Sequence, residues 1–213
     1  MATIIRVGIA DDHTITREAL RRFITREDDM EVVGEAWDGR TVIDLARRQT
    51  MEVLLLDLLM PGRGGLEALP FIRAKSPTTA VIVLSSLPEQ HYAISSLRVG
   101  ANGYLNKECE PTEILEAVRV VASGRRYLSP NVAELMATKL ISGPARHPHE
   151  TLSDREFQLL VRLARGGTSS QIAEELFLSN KTVSTYRTSL LRKLEMRTNS
   201  ELTHYAILRG LID

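Results

Sequence analysis

The stretch VLLLDLLMPGRG, residues 53–64, places one carboxylate, Asp57, at the end of the most apolar segment of the chain. Four consecutive apolar residues, closed a few positions later by a Pro-Gly pair, predict a short strand that is buried on both faces of a sheet. Burial of an unpaired carboxylate is costly. Asp57 must therefore be paired, neutralised or kept at the open end of the strand for chemistry.

Apolar runs recur through the first 123 residues and alternate with amphipathic stretches. One such stretch, 13–26, carries Ile15, Leu20, Phe23 and Ile24 on one helical face, and Pro111 opens another. Strands that alternate with helices predict an α/β fold, with a doubly wound, five-stranded parallel sheet covered on both faces. The predicted strands are 4–10, 31–37, 53–56, 80–85 and 103–106.

The pattern changes after Gly124. Residues 142–150, SGPARHPHE, have the composition of a linker. Beyond them, residues typical of helix N-caps precede four apolar-periodic segments, which predicts a small all-helical domain. We expect one domain at 1–124 and another at 152–213, joined by a connecting helix and linker at 125–151. The predicted caps are Ser153 with Glu156, Thr168 with Gln171, Thr198 with Glu201, and Ser179.

The net charge is zero, but the N-terminal part of the chain is acidic and the C-terminal part is basic. Residues 1–123 carry 14 Lys or Arg and 18 Asp or Glu, whereas residues 124–213 carry 13 and 9. This asymmetry suggests a cation as partner of the first part and a polyanion as partner of the second. The single cysteine, Cys109, which we interpret as an unreactive thiol, permits no intrachain disulfide. We predict a cytoplasmic protein, without a signal peptide or a membrane span.

Polar residues close four of the predicted strands. Asp11 and Asp12 end the first, Asp57 the third, Ser85 the fourth and Lys107 the fifth. The carboxyl ends of parallel strands meet at one edge of the sheet, where ligands bind. Three carboxylates at this edge need a countercharge, and Mg²⁺ prefers such ligands. The sequence thus predicts a Mg²⁺ site beside a carboxylate that can attack phosphorus.

Four motifs carry a family resemblance: DDH at 11–13, LLDLLMPG at 55–62, VLSS at 83–86 and GYLNK at 103–107. In this order and spacing they resemble the receiver domain of two-component response regulators, which has a flavodoxin-like fold. The resemblance implies that Asp57 accepts a phosphoryl group and that Lys107 contacts it. Ser85 and Tyr104 would form the switch pair. The implied Mg²⁺ ligands are Asp11, Asp12, Asp57 and the backbone carbonyl of Leu59.

Leu59 departs from the family pattern, in which a polar side chain often stands at this position. That side chain helps to admit or exclude the water that hydrolyses the aspartyl phosphate, so we predict slow self-dephosphorylation. Two other residues near the predicted strand ends receive structural interpretations. We expect His13 in a loop or at a helix start, and we interpret Trp37 as a packing residue.

A helix-turn-helix pattern follows in the second half. The segment after Ser179 has an apolar face, with Val183, Leu190, Leu191 and Leu194, and residues 179–199 hold five Lys or Arg against one acid. One packed face and one basic, hydroxyl-rich face are what insertion into the major groove of DNA requires. The motifs LSDRE at 152–156, G-x-x-S-x-x-I-A at 166–173 and LSNKTV at 178–183 resemble the LuxR-type DNA-binding domain over residues 152–212.

By position, hydroxyl side chains of this segment would face base edges and basic ones would meet phosphates. The first group contains Ser184, Thr185 and Thr188, and the second Lys181, Arg187 and Arg192. The complete predicted DNA-binding set is Lys181, Thr182, Ser184, Thr185, Arg187, Thr188 and Arg192. The last helix, 199–209, is a dimerisation surface in the family, although from its residues alone it can equally complete the core.

Together the resemblances imply a phosphorylation-dependent transcription regulator of the NarL/FixJ class. A sensor histidine kinase would supply phosphate to Asp57, and a homodimer would bind double-stranded DNA. Such a protein is not a turnover enzyme. Two alternatives stay open: a Mg²⁺-dependent phosphatase with an aspartyl-phosphate intermediate, against which Leu59 argues, and a regulator that binds DNA constitutively.

Overall fold

The computed structural model describes residues 4–62, 64–142 and 147–212, and the chain divides into two units, 1–140 and 141–213. Within the described ranges, no helix is both long enough and apolar enough to cross a membrane. Part of the predicted linker, residues 143–146, lies outside the described residues. Its last residues are not extended, because Pro148–Thr151 forms a single 3-10 turn.

Five parallel strands form the centre of the first unit, in the order β2-β1-β3-β4-β5. This arrangement confirms the predicted α/β fold. Every residue of β3 and β4 is buried, as expected of central strands that helices cover on both sides. The strand order reverses between β1 and β3, so a crevice opens at their carboxyl ends. The strands are β1 Ile5–Ala10, β2 Met30–Ala36, β3 Val53–Leu56, β4 Ala80–Ser85 and β5 Gly103–Asn106.

Six helices accompany this sheet. They are α1 Thr14–Ile24, α2 Gly39–Arg48, α3 Gly65–Lys75, α4 Glu89–Val99, α5 Pro111–Ala122 and α6 Pro130–Ser142. Pro111 begins α5 as predicted, and a Pro at this position is favoured because its missing N–H would have no partner in the helix. α6 is the connecting helix, since it leads along the chain into the second unit.

Two predictions about packing in the first unit are wrong. α1 buries Leu20 and Ile24, but Ile15, in the first turn of the helix, is 83% exposed. Trp37, which was interpreted as a packing residue, is 54% exposed. It follows β2 directly and stands one residue before Asp38, the N-cap of α2, so it belongs to the rim of the sheet.

Between residues 152 and 212 the structure describes four α-helices, which confirms the predicted all-helical domain. They are α7 Asp154–Ala164, α8 Ser169–Glu175, α9 Asn180–Lys193 and α10 Asn199–Leu208. The capping boxes that start α7 and α8 are both complete, and Ser179 accepts a hydrogen bond from the backbone of Thr182. At α10 only half of the predicted box forms. Thr198 accepts from the Glu201 N–H, but the Glu201 carboxylate accepts from the Arg197 N–H.

Glu156 joins α7 to α9 inside the second unit. It is 3% exposed, and its carboxylate accepts hydrogen bonds from the Ser189 hydroxyl at 2.8 Å, Lys193 Nζ at 2.7 Å and the Ser153 N–H at 2.8 Å. Burial acts to raise the pKa of this carboxyl group, but these donors outweigh it and lower the pKa to about 2. The ionised side chain is therefore part of the core of this domain.

Candidate functional site

Side chains from three strand ends meet at the carboxyl edge of the sheet. Lys107 Nζ lies 2.6 Å from an oxygen of Asp11 and 2.8 Å from an oxygen of Asp57. Both carboxylates are 2% exposed. The apolar strands β1 and β3 lie side by side, so they deliver Asp11 and Asp57 to the same point. The structure thus brings together the charged residues that the sequence placed at these strand ends.

The remaining carboxylate oxygens of this cluster have unequal partners. Asp57 Oδ1 accepts from the Leu59 N–H at 3.1 Å, and Asp11 Oδ1 accepts from the His13 N–H at 2.8 Å. Asp12 Oδ1 is buried and has no hydrogen-bond partner among the described residues, although His13 Nδ1 lies 2.7 Å away. A buried carboxylate oxygen without a donor is costly unless a cation reaches it.

The cluster can hold a metal ion. Asp11, Asp12, His13 and Asp57 each offer a ligand atom, and these atoms lie within 4.8 Å of one another. Three carboxylates and the unpartnered oxygen of Asp12 suit a hard divalent cation such as Mg²⁺. His13 was expected in a loop or at a helix start, and it precedes α1 directly as the N-cap residue. A role for the Leu59 carbonyl stays a prediction, since the described contact of this residue is made by its N–H.

Burial and charge oppose each other at Asp57 and Lys107. Burial raises the pKa of the Asp57 carboxyl, and the nearby ammonium group of Lys107 offsets only part of this effect. For Lys107, burial acts to lower the pKa, but the carboxylates of Asp57 and Asp11 outweigh it, and the pKa is raised. Lys107 therefore remains charged, and a second cation would favour the ionised, nucleophilic form of Asp57.

Gly65, which sequence reasoning missed, lies directly against the backbone of Asp57. Its N–H donates to the Leu58 carbonyl at 3.0 Å, and a Cβ atom at this position would lie 1.9 Å from the Asp57 carbonyl oxygen. Any side chain here would displace the backbone that carries the carboxylate. The pair Gly64-Gly65, just after the Pro-Gly turn, was the available signal for such a close approach.

Both predicted switch residues, Ser85 and Tyr104, form hydrogen bonds with the backbone of Leu87. Ser85 is fully buried, and its Oγ accepts from the Leu87 N–H at 3.3 Å. Tyr104 is also fully buried, and its hydroxyl donates to the Leu87 carbonyl at 2.7 Å. Burial raises the pKa of this phenol, which therefore stays neutral. The ring of Tyr104 already occupies the interior in this structure.

The predicted DNA-binding side chains lie along α9. Lys181, Ser184, Thr185, Thr188 and Arg192 are exposed. The other two predicted members are half-buried. Thr182 lies in the cap of the helix, with its hydroxyl 2.8 Å from that of Ser179, and Arg187 Nε donates to Asn199 Oδ1 at 2.9 Å.

Two exposed threonines of α9 are oriented by their own helix. The hydroxyls of Thr185 and Thr188 donate to the carbonyls of Lys181 and Ser184, each at 3.0 Å. Their oxygens retain acceptor capacity and their methyl groups remain available. Such side chains can accept from a base amino group and contact the methyl group of thymine.

Comparisons with known proteins agree with this geometry. Residues 7–119 match the family model "Response regulator receiver domain", and residues 150–206 match "Bacterial regulatory proteins, luxR family". The response regulator UvrY of Escherichia coli (strain K12) is 36% identical over 209 residues, which cover 98% of this chain and 96% of the relative. The response regulator GacA of Pseudomonas aeruginosa is 34% identical over 212 residues, 99% of each chain.

Among solved structures, RcsB from Salmonella enterica serovar Typhimurium is similar over nearly the whole length. That structure shows RcsB bound to promoter rprA in the presence of the phosphomimetic BeF3⁻. It has 26% sequence identity and a TM-score of 0.66, and the match covers 95% of this chain and 98% of that one.

Proposed function

The chain belongs to the two-component response regulators of the NarL/FixJ class, in which a receiver domain precedes a LuxR-type DNA-binding domain, and on this basis we propose that phosphorylation of Asp57 controls its binding to DNA. The observation that carries the proposal is the buried cluster in which Lys107 lies within 2.8 Å of both Asp11 and Asp57. We assign the receiver to residues 1–124, the connecting segment to 125–151 and the DNA-binding domain to 152–213.

Asp57 is the phosphoacceptor in this proposal. A carboxylate oxygen attacks the phosphorus of a phosphohistidine on a sensor histidine kinase. The new oxygen–phosphorus bond forms as the phosphorus–nitrogen bond breaks, and the imidazole leaves. Lys107 Nζ, already 2.8 Å from the carboxylate, then donates to a phosphoryl oxygen. Asp11, Asp12 and Asp57 would hold Mg²⁺, which supplies positive charge to the phosphoryl oxygens when bound.

Ser85 and Tyr104 read the phosphorylated state. The Ser85 hydroxyl donates to a phosphoryl oxygen, which weakens its contact with the Leu87 N–H. Because Tyr104 is already buried and bonded to the Leu87 carbonyl, phosphorylation would retain its inward position instead of creating it. Coupling between such sites typically amounts to about 1–3 kcal/mol, which is enough to change the occupancy of a DNA site.

α9 is the DNA-reading helix. Ser184, Thr185 and Thr188 would contact base edges in the major groove, and Lys181, Arg187 and Arg192 would contact phosphates. The relative RcsB is bound to promoter DNA in its structure. By analogy we propose that this protein binds double-stranded DNA as a homodimer, in the cytoplasm, where its kinase partner would deliver phosphate.

The first test is phosphoryl uptake by the intact protein. Incubation with acetyl phosphate and Mg²⁺ should add the mass of one phosphoryl group to the wild type and to Asp44→Asn, which changes an exposed carboxylate of α2. Asp57→Asn should gain no mass. Labelling of Asp57→Asn, or an unlabelled wild type, would refute the assignment of the acceptor.

The second test is DNA binding with and without beryllofluoride. Binding that tightens in the wild type and not in Asp57→Asn supports phosphorylation control. Equal binding in both conditions would instead favour the constitutive regulator, and turnover of phosphate esters would favour the phosphatase.

A further inference from the structure

The loop between β4 and α4 is held by both members of the switch pair. The Leu87 N–H donates to Ser85 Oγ at 3.3 Å, and the Leu87 carbonyl accepts from the Tyr104 hydroxyl at 2.7 Å. Two residues later Glu89 begins α4. A change in the hydrogen bonding of Ser85 therefore acts on the backbone that enters α4.

The chain that follows α5 runs along the outer edge of the sheet. We call residues 123–129 the connector. Tyr127 forms a parallel bridge with Gly103 of β5, and its N–H donates to the Asn102 carbonyl at 2.9 Å. Its hydroxyl donates to Glu113 of α5 at 3.1 Å. The connector is thus anchored to the first unit immediately before α6 begins.

Ser129, the last residue of the connector, bonds α4 to α6. It is 5% exposed, and its hydroxyl is shared between the two carboxylate oxygens of Glu89, each 3.2 Å away. The same oxygen accepts from the Val132 N–H at 3.3 Å, and the Ser129 carbonyl accepts from the Ala133 N–H at 3.0 Å. One buried hydroxyl therefore joins the first residue of α4 to the first turn of α6.

We propose that the Glu89–Ser129 hydrogen bond carries the response to phosphorylation from α4 into the connecting helix α6 and so into the DNA-binding domain. This inference rests on the proposed function, because it requires that Asp57 accepts phosphate. Hydrogen bonds to a charged acceptor are stronger than neutral ones, so movement of Glu89 is transmitted to Ser129 instead of being absorbed by the contact.

The order of events follows from the contacts. When Ser85 rotates toward the phosphoryl oxygen, its contact with the Leu87 N–H weakens, and the loop that leads to Glu89 can shift. Ser129 then moves with Glu89, to which it is hydrogen-bonded. This movement changes the first turn of α6, because the same hydroxyl accepts from the Val132 N–H.

The test measures the response ratio, the DNA affinity with beryllofluoride divided by the affinity without it, in the full-length protein. The probe is a DNA duplex selected from a random library by the wild type with beryllofluoride. The variants are Glu89→Ala, Ser129→Ala and the double variant. Ser123→Ala is the matched control, since this connector serine donates to the Val120 carbonyl.

Coupling of this kind usually gives ratios of about 5- to 150-fold, and we expect each single variant to lower the wild-type ratio by about fivefold or more. The double variant should match the single variants, because all three break one bond. Ser123→Ala should keep the wild-type ratio. All variants should still take up phosphate from acetyl phosphate, which places the defect after phosphorylation.

Wild-type ratios in both single variants would overturn the relay, and so would a double variant whose loss is the sum of two separate losses. Ser129→Ala also removes the hydroxyl that accepts from the Val132 N–H in the first turn of α6. If circular dichroism shows a loss of helix in this variant, the relay is judged from Glu89→Ala, which keeps that hydroxyl. A wild type without phosphoryl uptake refutes the proposed function and the relay with it. Uptake is measured separately, so the two failures are told apart.

Discussion

Replacing Glu156 with Gln in the full-length protein should destabilise the DNA-binding domain at neutral pH. Gln still completes a capping box, as Gln171 does at the start of α8, so the change mainly removes the charge that Lys193 and Ser189 stabilise. Lowering a carboxyl pKa from 4.5 to about 2 corresponds to about 3 kcal/mol in favour of the folded, ionised form. Because Lys193 is 39% exposed, we expect a loss of about 2–3 kcal/mol.

The loss should depend on pH in one direction. The folded-state pKa of Glu156 lies below its unfolded value, so its stabilising effect is complete above pH 4.5 and disappears as the pH falls toward 2. The difference in stability between the wild type and Glu156→Gln should therefore be largest near pH 7 and shrink steadily below pH 4.5.

Hydrogen exchange of the amides in α7 and α9 measures this difference within the intact chain. Glu201→Gln is the matched control, since Glu201 also caps a helix but is exposed and accepts from a backbone N–H. It should change the exchange of these amides by a few tenths of a kcal/mol at most. If Glu156→Gln leaves the exchange unchanged at pH 7, or lowers protection equally at pH 7 and pH 3, the charge of Glu156 does not stabilise the domain.

Three further predictions follow from local geometry. Phe177 has a φ of +54°, which is strained for a residue with a side chain, and it is 43% exposed. Phe177→Gly should therefore stabilise α8 and α9 by about 1 kcal/mol in the same exchange experiment. Lower protection of these amides would show that Phe177 is not strained. Gly65→Ala should abolish phosphoryl uptake and destabilise the receiver more than Gly62→Ala, with the fluorescence of the single tryptophan as the measure of unfolding. At Gly62 a Cβ meets nothing within 4 Å, so the penalty there is only the strain of its φ of +72°, about 1–2 kcal/mol. Burial raises the pKa of Cys109 to about 11, so iodoacetamide at pH 7 should alkylate it about tenfold or more slowly than free cysteine, and equal rates would show a reactive thiol.

The strands could be predicted because a strand that is buried on both faces admits few residues other than apolar ones. Every residue of β3 and β4 and three of the four residues of the edge strand β5 are buried, so these strands appear in the sequence as short apolar runs whose bounds match those predicted. β2, the other edge strand, differs by one residue at each end, because most of its residues are not buried. The polar residues that follow such runs must lie at one edge of the sheet, and the cluster of Asp11, Asp57 and Lys107 follows directly.

Other features depend on tertiary contacts that no local pattern encodes. Ile15 fits the apolar periodicity of α1, yet it is 83% exposed, which the local pattern does not reveal. The close approach of Gly65 to Asp57 depends on the path of α3. The bond between Glu89 and Ser129 joins residues 40 positions apart, and nothing in either segment alone indicates it.

Lys107 places one ammonium group between the carboxylates of Asp11 and Asp57. These contacts are made within the chain, so we expect the receiver to fold even when Mg²⁺ is scarce. A divalent ion that binds here must share the carboxylates of Asp11 and Asp57 with the ammonium group of Lys107. On the proposed function, removal of Mg²⁺ should stop phosphoryl uptake while the receiver stays folded, and restoring the ion should restore uptake without refolding.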